Sequence, residues 1–154
     1  MKKKIIKTFL VAALIFLNNC GFKVVDLSTS NNFTIKNIIS TGDKKINYKL
    51  KNKLKFNSKN QASKILFINL DTKKNKVIKE RNIKNQITKY STKIIVNVKY
   101  KDVSSNTKGQ FTVTKSGDYQ VTSQHSGTLR NEKKLDEQLT EKLAEKILSE
   151  LKQL

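Results

Sequence analysis

Cysteine occurs once in the 154 residues, at Cys20, and histidine once, at His125; proline and tryptophan do not occur. A single thiol excludes a disulfide within the chain and any metal site built from several cysteines. His125 stands among Ser and Gly residues with no cysteine to join it, so it reads as a solvated loop residue rather than a ligand or base. Acid is scarce too, with 12 Asp and Glu against 32 Lys and Arg. The acids concentrate near the C-terminus, where they read as the solvated face of a helix. Five glycines form no phosphate-cradling loop, and no metal-ligand spacing or nucleophile motif is present. The expectation is a protein that is not an enzyme and needs no cofactor or metal.

What is abundant is positive charge: the formal net charge is +20 and the isoelectric point near 10.1. Such an excess ordinarily points to an anionic partner, whether nucleic acid, a membrane surface or an acidic glycolipid. Composition supplies a second cause. Thirty Lys against 2 Arg, with 16 Asn and 15 Ile, is the mark of drift in an AT-rich genome. That drift accounts for roughly half of the excess. Nucleic acid is not the expected partner. RNA-binding sheets display exposed aromatics on neighbouring strands, whereas Tyr100 and Phe111 share parity with core aliphatics.

The N-terminus is an address. Lys2, Lys3, Lys4 and Lys7 precede an apolar run from Phe9 to Leu17, too short to span a bilayer and without a stop-transfer flank. Leu17-Asn18-Asn19-Cys20-Gly21 follows and resembles the lipobox of bacterial lipoproteins, with Asn19 where Gly, Ala or Ser is usual. The resemblance implies cleavage before Cys20, a signal peptide at 1–19, and acylation of Cys20 with fatty acids such as palmitate. Acyl chains contribute about 0.8 kcal/mol per buried CH₂, and stable anchoring takes more than one. Gly21, rather than Asp, after the cysteine implies the outer membrane, with the domain on the periplasmic side.

Residues 20–32 read as a lipidated tether and 33–154 as a single domain. Removing residues 1–19 leaves 135 residues and a formal charge of +16. Phe33, Ile35 and Ile38-Ile39 predict a strand ended by Ser40-Thr41-Gly42. Asp43 offers an N-cap to a helix marked by Ile46, Leu50 and Leu54; Tyr48 and Phe56 share parity with these and would also suit a strand. An apolar run from Ile65 to Leu70 leads through Asp71 to Lys76 into Val77-Ile78. The clearest strand sets Ile94, Val96, Val98 and Tyr100 on one face and Lys93, Asn97 and Lys99 on the other. Ser104 to Gly109 reverses the chain, and Phe111, Val113, Tyr119 and Val121 return, with a bulge or kink expected at Ser116-Gly117-Asp118. From Asn131, the expected N-cap, Leu135, Leu139, Leu143, Ile147, Leu151 and Leu154 mark one helix face, with Glu132 and Asp136 expected at its positive end. The predicted class is α+β: two helices packed on one face of a roughly four-stranded, mainly antiparallel sheet.

This layout resembles the LPS-assembly lipoproteins of the LptE family. The likeness rests on Cys20-Gly21-Phe22 at the mature start, the helix of Leu50 and Leu54, the meander and Tyr119 near its end. It also includes an Ala-x-x-Ile-x-x-x-Leu closing helix at Ala144, Ile147 and Leu151. The resemblance implies a lipoprotein that plugs and helps assemble the outer-membrane LPS-transport β-barrel and binds lipopolysaccharide on its way to the cell surface. Within it, Lys73, Lys74, Lys76, Lys79 and Arg81 are candidate phosphate contacts, with a second group at Lys99, Lys101 and Lys108. Ammonium groups serve as point charges there, without the fork of arginine. The alternative is a periplasmic structural lipoprotein that binds another envelope component such as peptidoglycan.

Overall fold

A computed structural model describes residues 33–58 and 62–154; the signal, Cys20 and the tether lie outside the described residues. The elements run β1 (Phe33–Gly42), α1 (Lys44–Phe56), β2 (Lys64–Arg81), β3 (Ile87–Asp102), β4 (Lys108–Gln120) and α2 (His125–Lys152). The strands form one sheet in the order β1-β2-β3-β4. Only the β1–β2 pair is parallel. A parallel pair needs a crossover, and α1 supplies it. The two helices and four-stranded sheet are the α+β arrangement that the periodicity predicts.

In β1 the register slips by one residue. Ile35 lies opposite Leu66 and Asn37 opposite Phe67, which leaves Lys36 as an extra residue. The bulge explains a break in parity: Phe33, Ile35 and Ile38 are all buried, while Ile39 turns out and is 58% exposed. At the end of β1, Gly42 adopts a φ of 91°, and the next residue caps α1. The Asp43 carboxylate accepts from the Ile46 N–H at 2.9 Å. Ile46, Leu50 and Leu54 then face the core, while Tyr48 and Phe56 stand in solvent. The helical alternative of the sequence is the one that forms. Three bonds close this joint, two of them onto the middle of β2. The Asp43 N–H donates to the Thr72 carbonyl at 3.1 Å, the Asn47 amide donates to the Thr41 carbonyl at 2.8 Å, and the Thr72 hydroxyl donates to Asn47 Oδ1 at 2.7 Å.

The polar stretch after Leu70 does not interrupt β2, whose 18 residues run straight through it. Two expectations need correction. No bulge forms at Ser116–Asp118: β4 pairs with β3 residue for residue from Lys108 to Gln120. Gly117 lies beneath α2 instead: a Cβ would come within 2.7 Å of Leu135 Cδ1, the movable tip of that side chain, which would have to shift to admit it. The closing helix also starts six residues before Asn131. It begins at His125 after Gln124, with no side-chain cap and no acid in its first turn. His125 is thus an exposed helical residue rather than a loop residue. The Asn131 amide donates to the Gln120 carbonyl at 3.0 Å, so it pins the helix to β4 rather than capping it.

β1 reaches only as far as Thr72 of β2, and the β2–β3 hairpin continues to Arg81. The four-stranded half holds the apolar core: Phe33, Leu66, Leu70, Val96, Val98, Leu50, Leu54, Leu143, Ile147 and Leu151 are all nearly free of solvent. The three-stranded half lies under the first part of α2. Lys49 pairs with Glu137 and Lys53 with Glu141, so the helices run in the same direction with charged rims touching.

Gly42→Ala tests the joint. A Cβ there would run into the Thr72 backbone, on top of the cost of positive φ. The expected result is a loss of about 2 kcal/mol or more in urea unfolding; a midpoint unchanged from the native protein would show that the joint is not under this constraint.

Candidate functional site

The two predicted lysine groups fall on different surfaces. Strand parity carries Lys74 and Lys76 to the helix-covered face, opposite Ile94 and Thr92. There they meet acids of α2. Lys74 Nζ lies 2.7 Å from Asp136 Oδ2 and 3.1 Å from Glu132 Oε1, and Lys76 Nζ 2.8 Å from Glu132 Oε2. The Tyr119 hydroxyl donates to Glu132 at 3.0 Å. Lys76 also sits 4.3 Å from the centre of the Tyr90 ring, and Tyr90 stacks on Tyr119 at 5.6 Å. Glu132 and Asp136 therefore depart from the solvated role expected of the helix acids. Lys79 pairs with Asp118, and Arg81 donates to the Asn85 carbonyl at 2.8 Å. Of the first group, only Lys73 is exposed without a bonded partner among the described residues.

The electrostatics of this network are one-sided. Partial burial pushes the Glu132 carboxyl up, but hydrogen bonds from Lys76, Lys74 and Tyr119 outweigh it and bring the pKa down to about 2. Burial lowers both lysines, yet the carboxylates prevail and hold Lys74 and Lys76 above the usual lysine value. The arrangement ties helix to sheet across a region with few leucines.

The second group lies on the opposite face, which no helix among the described residues covers. Register sets Phe67, Lys101 and Lys108 in one row, and Ile39, Asn69, Lys99 and Gln110 in the next. None of these lysines has an ion pair among the described residues. Two concavities adjoin them. One, of about 210 Å³, is largely apolar and lined by Ile39, Phe67, Tyr100, Lys99 and Lys101. Lys36, the bulge residue, places its amine 6.0 Å from the Phe67 ring. The other, of about 580 Å³, is of mixed character, with polar side chains and Phe111 in its lining, and shares Asn69 and Lys99 with the first. Positive charge beside an apolar cleft can hold an amphiphile that carries phosphate. Sequence reasoning found Lys99, Lys101 and Lys108 but missed Ile39 and Phe67, because the bulge that turns Ile39 outward has no composition signal. Among the described residues no helix is long and apolar enough to cross a membrane, and no group of three or more His, Cys, Asp or Glu could hold a metal.

A mixed four-stranded sheet with two helices on one face, and none on the other among the described residues, defines an open two-layer α+β sandwich. No profile of a known protein family matches the chain, and no curated protein matches it. Solved structures do share its fold. Rare lipoprotein B from Shewanella oneidensis superposes with a TM-score of 0.59 at 13% identity, over 79% of this chain and 93% of that one. A minor lipoprotein from Acinetobacter baumannii gives 0.55 at 12%, over 79% and 92%. Lipoprotein B from Nitrosomonas europaea gives 0.54 at 15%, over 83% and 88%. The chain has the fold of these lipoproteins.

The sign of the Glu132 shift makes a pH prediction. A carboxyl whose folded pKa is depressed contributes stability that is fully present above its unfolded value near 4.5 and is lost as pH falls toward 2. Its side chain is 20% exposed, so the contribution is on the order of 1–2 kcal/mol. Glu132→Gln is expected to lose this at pH 7 and to flatten the fall between pH 5 and pH 2 in urea titrations. An acid limb as steep as that of the native protein would assign the fall to other groups.

Proposed function

We propose that this protein is a lipoprotein of the outer membrane, anchored through Cys20 on the periplasmic side. There it plugs and helps assemble the LPS-transport β-barrel and binds LPS during delivery, without catalysing a reaction. The observation that carries the binding role is the sheet face opposite the helices, where Lys99 and Lys101 line the cleft of Ile39 and Phe67, Lys108 lies opposite Lys101 on the next strand, and none of the three has an ion pair among the described residues. Lipid A phosphates suit the ammonium groups, and an acyl chain suits the cleft. Fold likeness to the lipoproteins and the lipobox-like Leu17 to Cys20 support the anchored class. The lysines of the first group serve stability in this reading, with Lys73 left as their free member.

Two outcomes test it. Full-length protein extracted from membranes in mild detergent is expected to bring the barrel with it in equal amount, and to take up labelled palmitate unless Cys20→Ser is introduced. Recovery of the protein alone, with the barrel folding normally in its absence, would favour the structural tether instead.

For the ligand, Lys99→Glu with Lys101→Glu is expected to weaken LPS capture by about tenfold at low salt and to reduce its salt dependence. Lys142→Glu with Lys146→Glu on α2 is expected to leave it near the native level. Equal losses from both pairs would mean that net charge alone acts.

A further inference from the structure

Between the lysine rows and the three-stranded half, register places Thr41, Asp71, Asn97 and Thr112 in a single row across all four strands of the face opposite the helices. Their side chains join up. The Thr41 hydroxyl donates to Asp71 Oδ1 at 3.2 Å. The Asn97 amide reaches Asp71 Oδ2 at 3.5 Å. The Thr112 hydroxyl donates to Asn97 Oδ1 at 2.8 Å. This row lines the concavity of about 580 Å³, within the roughly 300–1,000 Å³ usual for ligand sites.

We propose that this concavity is a saccharide subsite, which takes the hydroxyls of a sugar unit of the glycolipid whose phosphates reach Lys99. The inference rests on the LPS reading above and adds to it the part of the ligand that the sheet reads.

The chemistry of the row selects the class. An ionised carboxylate accepts at about four lone-pair sites, and Asp71 has two internal donors. Asn97 is oriented by Thr112, so its amide edge is set rather than free to rotate. Asn69 and Gln110, one row away, add two amides with no side-chain partner among the described residues. Sugar hydroxyls both donate and accept, and such a mixture of one fixed amide, two unpartnered ones and one carboxylate matches them. Phosphate does not fit the centre of the row, because Asp71 would repel it; it fits at Lys99, which lines both concavities. Lys/Glu pairs, the usual furniture of a solvated strand face, are absent from these four positions.

Full-length protein in detergent, titrated calorimetrically with three probes, tests this. The probes are complete LPS, its de-acylated core oligosaccharide, and lipid A without core sugars. Thr112→Val keeps the side-chain shape, and Gln110→Ala, at a residue that lines this concavity and not the apolar cleft, leaves the row's own bonds intact, so a folding defect in one does not spoil the other. Each is expected to weaken oligosaccharide binding at least fivefold, to weaken complete LPS, and to leave lipid A unchanged. If native protein binds lipid A as tightly as complete LPS and ignores the oligosaccharide, the subsite is overturned while the LPS reading stands. If it binds the oligosaccharide but neither lipid A nor complete LPS, the subsite stands and the LPS reading falls. Loss of lipid A binding in equal measure in both variants would also overturn the subsite.

Discussion

Thr72 is the residue on which the arrangement turns. Its carbonyl takes the Asp43 N–H and its buried hydroxyl donates to Asn47. Between them these bonds fix where β1 stops, where α1 begins and how α1 is rotated about its axis. With Asn47 held against β2, a spacing of four residues carries Ile46, Leu50 and Leu54 onto the sheet. A buried threonine in the middle of a strand costs desolvation unless its hydroxyl is bonded. Here the polar group is satisfied, and its partner belongs to the helix it positions.

That joint also decides which lysines are available. Because both helices lie on one face, Lys74 and Lys76 of β2, which point there, are consumed by the acids of α2, and Lys73, which points away, is not. Six of the chain's 12 acids lie on α2, and Glu132, Asp136, Glu137 and Glu141 each meet a lysine of another element. A chain with so large an excess of cation thus spends four of its anions on lysines of β2 and α1 and leaves Lys99, Lys101 and Lys108 on the opposite face without an acid among the described residues. Net charge alone would not have revealed this division; strand parity does.

Much of the fold was legible because its signals were local. Asp43 before Ile46, the alternation of Ile94, Val96 and Val98, and the leucine spacing of the last helix each rest on a periodicity of a few residues. The parts that were not legible depend on contacts distant in the chain. Gly117 reads as a kink in isolation, and only the approach of Leu135 shows that it lies beneath a helix. Asn131 looks like a cap until Gln120 is seen to take its amide. The first turn of α2, His125 to Leu129, has no apolar stripe to announce it. On the face opposite the helices, Lys99, Lys101 and Lys108 were visible as charge, but their pairing with Ile39 and Phe67 needed the strand order.

The bulge at Lys36 has one more consequence. The residues on either side pair with consecutive partners, Leu66 and Phe67, so the strand would keep the same burial of Ile35 and Ile38 with that position removed. Lys36 is a supernumerary residue, a point at which β1 can change length without changing phase. Chains of this fold could therefore differ by a single insertion or deletion there and still superpose through the core. Sequence alignment across such a site would slip by one residue while the structure would not.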